Sequence, residues 1–235
     1  MLGSFIGQWI LNDLEGKLDH RQFGALKGRS TTHDIIHHWH MALNNNASVR
    51  VVFVDYAKAF DNVDHSIVIH KLVSLGVSSV LIWWLCSFLF SRQQRVKISD
   101  CVSGWLTLNG GMPQGSYLGP LIFLVLINDL MTAGCLLHKF VDDTTLLEII
   151  PKGETSNMSS LVEDILHWSP CNLMNINWSK TKELVLGSDL AKNFCRELCV
   201  DHNIVERVSV FFTARCTLVQ SAVLRSHVVC LSVSP

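Results

Sequence analysis

The chain has 235 residues, 49% of them hydrophobic and 17% charged; 19 Lys and Arg face 20 Asp and Glu, for a formal net charge of −1. This composition excludes wholesale disorder and supplies enough apolar material for a sizeable core. It carries no polybasic tail, so any contact with a polyanion must come from local patches.

Residues 1–22 place Phe5, Ile6, Trp9, Ile10, Leu14 and Leu18 at helical spacing. Their start lacks a basic n-region and an A-x-A site, so no signal peptide is expected. Gln22–Thr32 is Gly-rich and basic, a loop carrying Lys27 and Arg29, and residues 33–43 read as a helix. Residues 49–55, VRVVFVD, are β-branched and apolar and predict a buried strand with Asp55 at its C-terminal tip. Helix resumes from Ala57 through Leu72. Residues 72–91 are uncharged between Lys71 and Arg92, a length that could span a bilayer. Five serines dilute the segment and Gly76 splits it, so the preferred reading is a helix ending near Leu75, a turn, and a second buried helix with Trp83 and Trp84. No membrane association is expected.

Arg95–Ile98 reads as a basic strand, GMPQGS at 111–116 as a loop, and 117–131 as an apolar helix. Residues 136–150 predict a hairpin with Asp142 and Asp143 as its two-residue turn. A helix at 161–173 and a turn plus strand at 175–187 follow, and beyond about residue 190 the pattern decays. Eight cysteines without a C-x-x-C pair argue for reduced thiols in an intracellular protein, not a disulfide framework or a zinc scaffold. His33 and His37 have a metal-capable i, i+4 spacing, but no HExxH or nearby cysteine accompanies them, which favours a solvated helix face.

Asp55 and Asp142 are 87 positions apart, yet each ends an apolar β-run. If the strand and the hairpin are neighbours in one sheet, their carboxylates converge at one edge. Clustered carboxylates repel unless a divalent cation neutralises them, and Mg²⁺ takes oxygen ligands shared with substrate phosphates. The plainer alternative is a hairpin turn and a strand-end cap, since Asp favours turns.

Four motifs in one order tip this balance: VFVDYAKAFDNVDH at 52–65, GMPQGSYLGPLIF at 111–123, FVDD at 140–143 and INWSKTK at 176–182. Together with QFGALKGRSTTHD at 22–34, they resemble the reverse transcriptase of LINE-type (non-LTR) retrotransposons, particularly the jockey-like groups, over roughly residues 1–187. The resemblance implies an α+β polymerase palm, an antiparallel sheet backed by helices. Partial fingers-like helices would occupy 1–48, the palm 49–187, and a degenerate or poorly ordered tail 188–235.

The resemblance implies RNA-directed DNA polymerisation with Mg²⁺ (or Mn²⁺), an RNA template, a DNA primer and deoxynucleoside triphosphates. Asp55 and Asp142 match the metal-binding aspartates and Asp143 their companion. Val54 and Tyr56 would lend backbone contacts. Phe60 matches the residue that crowds a ribose 2′-OH, with an ordinary core aromatic as the alternative. Gln114 and Gly115 would lie near the templating base and incoming nucleotide, and Lys27 and Arg29 in the basic fingers loop. Lys180 would aid pyrophosphate departure, or be a solvated turn lysine. Arg92, Arg95 and Lys97 would form a template strip, or merely an exposed basic strand.

Three departures from the family pattern stand out. Val141 replaces a common Ala, the upstream fingers strands are not seen, and no thumb pattern follows residue 211. A catalytically inactive remnant with weak nucleic-acid binding is therefore the alternative expectation.

Overall fold

A computed structural model describes residues 2–24, 31–113, 115–187 and 195–209. The fold is α+β. Helix α1 (Leu2–Asp13) buries Ile6 and Ile10, and α2 (Thr31–Asn44) buries Trp39 and Ala42. Strand β1 (Ser48–Val54) follows, then α3 (His65–Ser74) and α4 (Ser79–Leu89). The chain does not re-enter helix at Ala57, because residues 57–62 form turns. Asp64 starts α3 by accepting a hydrogen bond from the Ile67 N–H at 3.0 Å, the usual N-cap solution for an orphan amide.

The uncharged 72–91 stretch divides at Gly76 into α3 and α4, and among the described residues no helix is long and apolar enough to cross a membrane. Next comes a thin exposed ribbon of two-residue strands: β2 (Gln93–Gln94) pairs with β5 (Leu106–Thr107), and β3 (Lys97–Ile98) with β4 (Cys101–Val102). Helix α5 (Leu118–Leu126) is buried at every residue except the half-buried Pro120. Strands β6 (Leu136–Phe140) and β7 (Asp143–Ile150), helix α6 (Met158–Cys171) and strand β8 (Lys182–Leu186) complete the central part. Strands β9 (Cys199–Val200), β10 (Asn203–Ile204) and β11 (Glu206–Val208) end the described chain.

The main sheet has the order β11-β8-β1-β7-β6. It is antiparallel except that β11 adds parallel to β8, so residues 206–208, where no pattern was expected, contribute to it. Alternation along β1 divides the core between its two faces. Val52 and Val54 pack with α1, α3, α4, α5 and α6, whereas Val49 and Val51 pack with Trp39 of α2 and with Leu147, Leu184 and Leu186.

One polar network crosses the larger-core face. Glu183 is fully buried and held by Arg50 at 2.5 Å and Arg207 at 2.7 Å. Arg50 also donates to the Ser156 hydroxyl and the Arg196 carbonyl, so strands β1, β8 and β11 are locked to the loop before α6.

Candidate active site

Strand β1 pairs antiparallel with β7 down to Val54 opposite Thr144. Asp55 directly follows that last pair and Asp143 directly precedes Thr144, so both lie at the same end of the sheet. The hairpin closes on the pair Phe140–Asp143, so its two turn residues are Val141 and Asp142, not the expected Asp142 and Asp143. Asp143 is the first residue of β7. The physical reason is register: Asp is favoured in turns, but the pairing of β6 with β7 fixes which two residues are left over. Val141 takes φ +57, a conformation that costs a β-branched residue energy, and its side chain is buried. Gly24 lies against it: a Cβ there would come within 2.6 Å of the Val141 nitrogen.

Asp55, Asp142 and Asp143 are all half-buried at this one end of the sheet. As an all-oxygen donor set they suit a hard divalent cation such as Mg²⁺. Among the described residues, the group of three whose ligand atoms all lie within 4.8 Å of one another is a different one, Asp34, His38 and His138.

The INWSKTK segment holds the backbone of Asp55. The Asn177 N–H donates to the Asp55 carbonyl at 2.8 Å, and the Asp55 N–H donates to the Thr181 hydroxyl at 3.3 Å. Thr181 is buried and its hydroxyl donates to the Asn177 carbonyl. Sequence reading singled out the neighbouring Lys180, which lies exposed on the turn, and missed these two. Their signal was the strand–turn–strand pattern itself, which brings a polar turn to the tip of β1.

Val54 is buried, and Tyr56 bridges Ile176 in backbone pairing. Burial pushes the Tyr56 phenol above its ordinary range, an effect the neighbouring Thr144 hydroxyl partly offsets. Both oxygens are buried and lack a hydrogen-bond partner among the described residues. Phe60 is half-buried and stacks on Phe123 of α5, ring centroids 5.1 Å apart.

The loop at 110–113 runs beside residues 60–63: the Met112 N–H donates to the Phe60 carbonyl and the Gly111 N–H to the Val63 carbonyl, both at 2.8 Å. At Gly111, φ is +77 and an added Cβ would lie 2.9 Å from the Asp61 carbonyl oxygen, so no other residue fits without a shift. The Gly111 carbonyl accepts from His65 Nε2 at 2.8 Å and from the Arg92 guanidinium at 3.0 Å. Gly115 has φ +79 with open space around its Cβ position. Gln114, Lys27 and Arg29 lie outside the described residues. The Arg95 guanidinium sits 4.5 Å over the Trp105 ring on the exposed ribbon, and Lys97 is exposed nearby.

Beneath the hairpin, Lys139 is fully buried. It pairs with Asp19 at 2.6 Å and donates to the carbonyls of Ile127, Asn128 and Leu130 at 3.0–3.1 Å. Burial alone would raise the Asp19 carboxyl, but hydrogen bonds from Arg21 and Lys139 outweigh it and hold the group at about 2. Burial lowers the pKa of Lys139, against the pull of Asp19.

The reverse transcriptase (RNA-dependent DNA polymerase) family matches residues 7–211, and the chain belongs to this family. Its relatives include the probable RNA-directed DNA polymerase from transposon BS of Drosophila melanogaster, 32% identical over 58% of this chain and 17% of that protein. The RNA-directed DNA polymerase from mobile element jockey of the same organism is 25% identical over 80% of this chain and 22% of its own length. The chain thus spans less than a quarter of these relatives. Among solved structures, the telomerase of Candida tropicalis, in complex with a TWJ fragment of telomeric RNA, superposes with a TM-score of 0.59 at 14% identity, covering 78% of this chain and 33% of that one. The telomerase of Candida albicans gives 0.58 at 13%, over 80% and 34%. The resemblance read from the four motifs is borne out at the level of family and α+β fold.

Proposed function

We propose that this chain is the palm, with part of the fingers, of a retrotransposon RNA-directed DNA polymerase. In this reading it extends a DNA primer on an RNA template. The observation that supports the proposal is the β1–β7 register, which brings the chain positions of Asp55 and Asp143 to one end of the sheet, with Asp142 in the adjoining turn.

The primer 3′-OH attacks the α-phosphate of a deoxynucleoside triphosphate, and the bond to pyrophosphate breaks. Asp55 and Asp142, with Asp143 beside them, would hold Mg²⁺ or Mn²⁺, which would supply charge neutralisation for the phosphoryl transfer. Asn177 and Thr181 fix the Asp55 backbone. Val54 and Tyr56 offer backbone groups toward the triphosphate. Phe60 excludes a 2′-OH by bulk, its ring set by Phe123. Gln114 and Gly115 border the nascent base pair. Lys180 assists pyrophosphate departure, and Lys27 and Arg29 approach the triphosphate from the fingers. Arg95 and Lys97 lie along the template, with Arg92 tying the base of their ribbon to Gly111.

A second reading, an inactive relative that keeps the fold, is favoured by one observation: the turn that carries Asp142 holds a β-branched residue, Val141, at φ +57. Primer extension on an RNA template with Mg²⁺ decides between them. The wild-type chain extends the primer and Asp142→Ala loses about 100- to 1,000-fold, the scale of losing one preorganised electrostatic group. Extension unchanged by the substitution refutes the catalytic assignment, and no extension by the wild type favours the second reading.

A further inference from the structure

The histidine-rich helix α2 holds a feature that polymerisation does not use. Asp34 and His38 lie one helical turn apart on a shared face, and His138 reaches them from β6. Asp34 Oδ2 accepts from His138 Nε2 at 2.6 Å and stands 3.5 Å from His38 Nδ1. The three ligand atoms all lie within 4.8 Å of one another. His138 is only 3% exposed and its ring meets Phe23 at 5.4 Å, whereas Asp34 and His38 are partly open to solvent.

We infer that Asp34, His38 and His138 form a binding site for a borderline-soft transition-metal dication of the zinc type. Two imidazole nitrogens and one carboxylate oxygen are the donors such an ion selects, whereas Mg²⁺ selects oxygen alone. Tetrahedral bonds of about 2.0–2.1 Å set ligand atoms roughly 3.3–3.4 Å apart. The His38–Asp34 separation, 3.5 Å, is within about 0.2 Å of that value. The His138–Asp34 hydrogen bond opens by less than about 1 Å as the ion takes the place of its proton.

Three protein ligands leave a fourth position on the solvent side. His38 Nδ1 now donates to the Asp34 carbonyl at 2.8 Å. On binding, its proton moves to Nε2 and that contact is exchanged for the ion. The His138 proton moves to Nδ1, which has no hydrogen-bond partner among the described residues. A missing outer partner of this kind weakens a site about 10- to 100-fold, so a site of modest affinity is expected, responsive to the ion's availability.

The site is distinct from the three aspartates. His138 pairs with Thr145, two residues before the Phe140–Asp143 pair that closes the hairpin. An ion there ties α2 to β6, the strand that carries the turn with Asp142.

The test is calorimetric titration of Zn²⁺ into the full chain after its thiols are alkylated, with Co²⁺ absorption as the spectroscopic readout. The wild type takes up one ion with a thiolate-free tetrahedral spectrum, and millimolar Mg²⁺ does not displace it. His38→Gln and Asp34→Asn, each at a partly exposed side chain and checked by circular dichroism, weaken binding at least about tenfold, and Asp142→Ala leaves it unchanged. No uptake by the wild type overturns the assignment, as does equal affinity in both variants, or loss of binding in Asp142→Ala instead.

Discussion

Replacing Lys139 by Met tests whether the ion pair beneath the hairpin holds the fold together. The ammonium is fully buried and serves the Asp19 carboxylate, whose side chain is 7% exposed, and three carbonyls at the end of α5. Met fills a similar volume, so the packing term is small. What is lost is the partner of a buried charge, a change that costs about 3–5 kcal/mol. Arg21 still binds Asp19 at 3.0 Å, which places the expected loss toward the lower end, about 3 kcal/mol. With a urea slope of about 2 kcal/mol/M, the midpoint falls by roughly 1.5 M, read by tryptophan fluorescence.

Adding Asp19→Asn removes the stranded charge, so the double variant is more stable than the sum of the single losses predicts, by at least about 1 kcal/mol. A loss under about 1 kcal/mol for Lys139→Met, or strict additivity, refutes the reasoning. The same pair sets an acid limit. Asp19 titrates at about 2 in the folded chain, below its ordinary 3.8. Its contribution is therefore complete above pH 4 and is lost as pH falls from about 4 toward 2, worth of the order of 1–2 kcal/mol after solvent screening. Acid titration of Asp19→Asn removes that part of the slope.

Gly24→Ala drives a methyl group into the Val141 backbone nitrogen and costs about 1–3 kcal/mol in urea unfolding. Val141→Ala rescues it only in part, because the side-chain contact goes but the nitrogen stays. Phe60→Ala removes a half-buried ring stacked on Phe123 and costs about 1–3 kcal/mol. If the ring also gates the sugar, the ratio of ribonucleotide to deoxynucleotide incorporation rises at least about tenfold, and an unchanged ratio defeats the gate while leaving the packing role intact.

Strand β1, the β6–β7 hairpin and α5 were legible because each is a short apolar run with punctuation at both ends. The split of residues 72–91 at Gly76 was legible for the same reason. The turn was read one residue late, since FVDD offers two acids and only cross-strand pairing decides which one leaves the ladder. Lys139 reads as an ordinary strand lysine until Asp19, 120 positions earlier, is placed beside it. Likewise, histidine spacing along α2 gives no pointer to the cluster that the sheet completes. His138 selects Asp34 and His38, a choice made by the packing of α2 and invisible in a local window. Strand β11 was missed because a three-residue parallel edge carries almost no periodicity.

Lysine grips meet at one end of α5: Lys71 binds the Leu126 carbonyl, and Lys139 binds those of Ile127, Asn128 and Leu130. The other end of the same helix begins just past the glycine-flanked loop at 110–115. A buried rod anchored in this way spans from that loop to the carbonyls that seat the strand lysine of the β6–β7 hairpin.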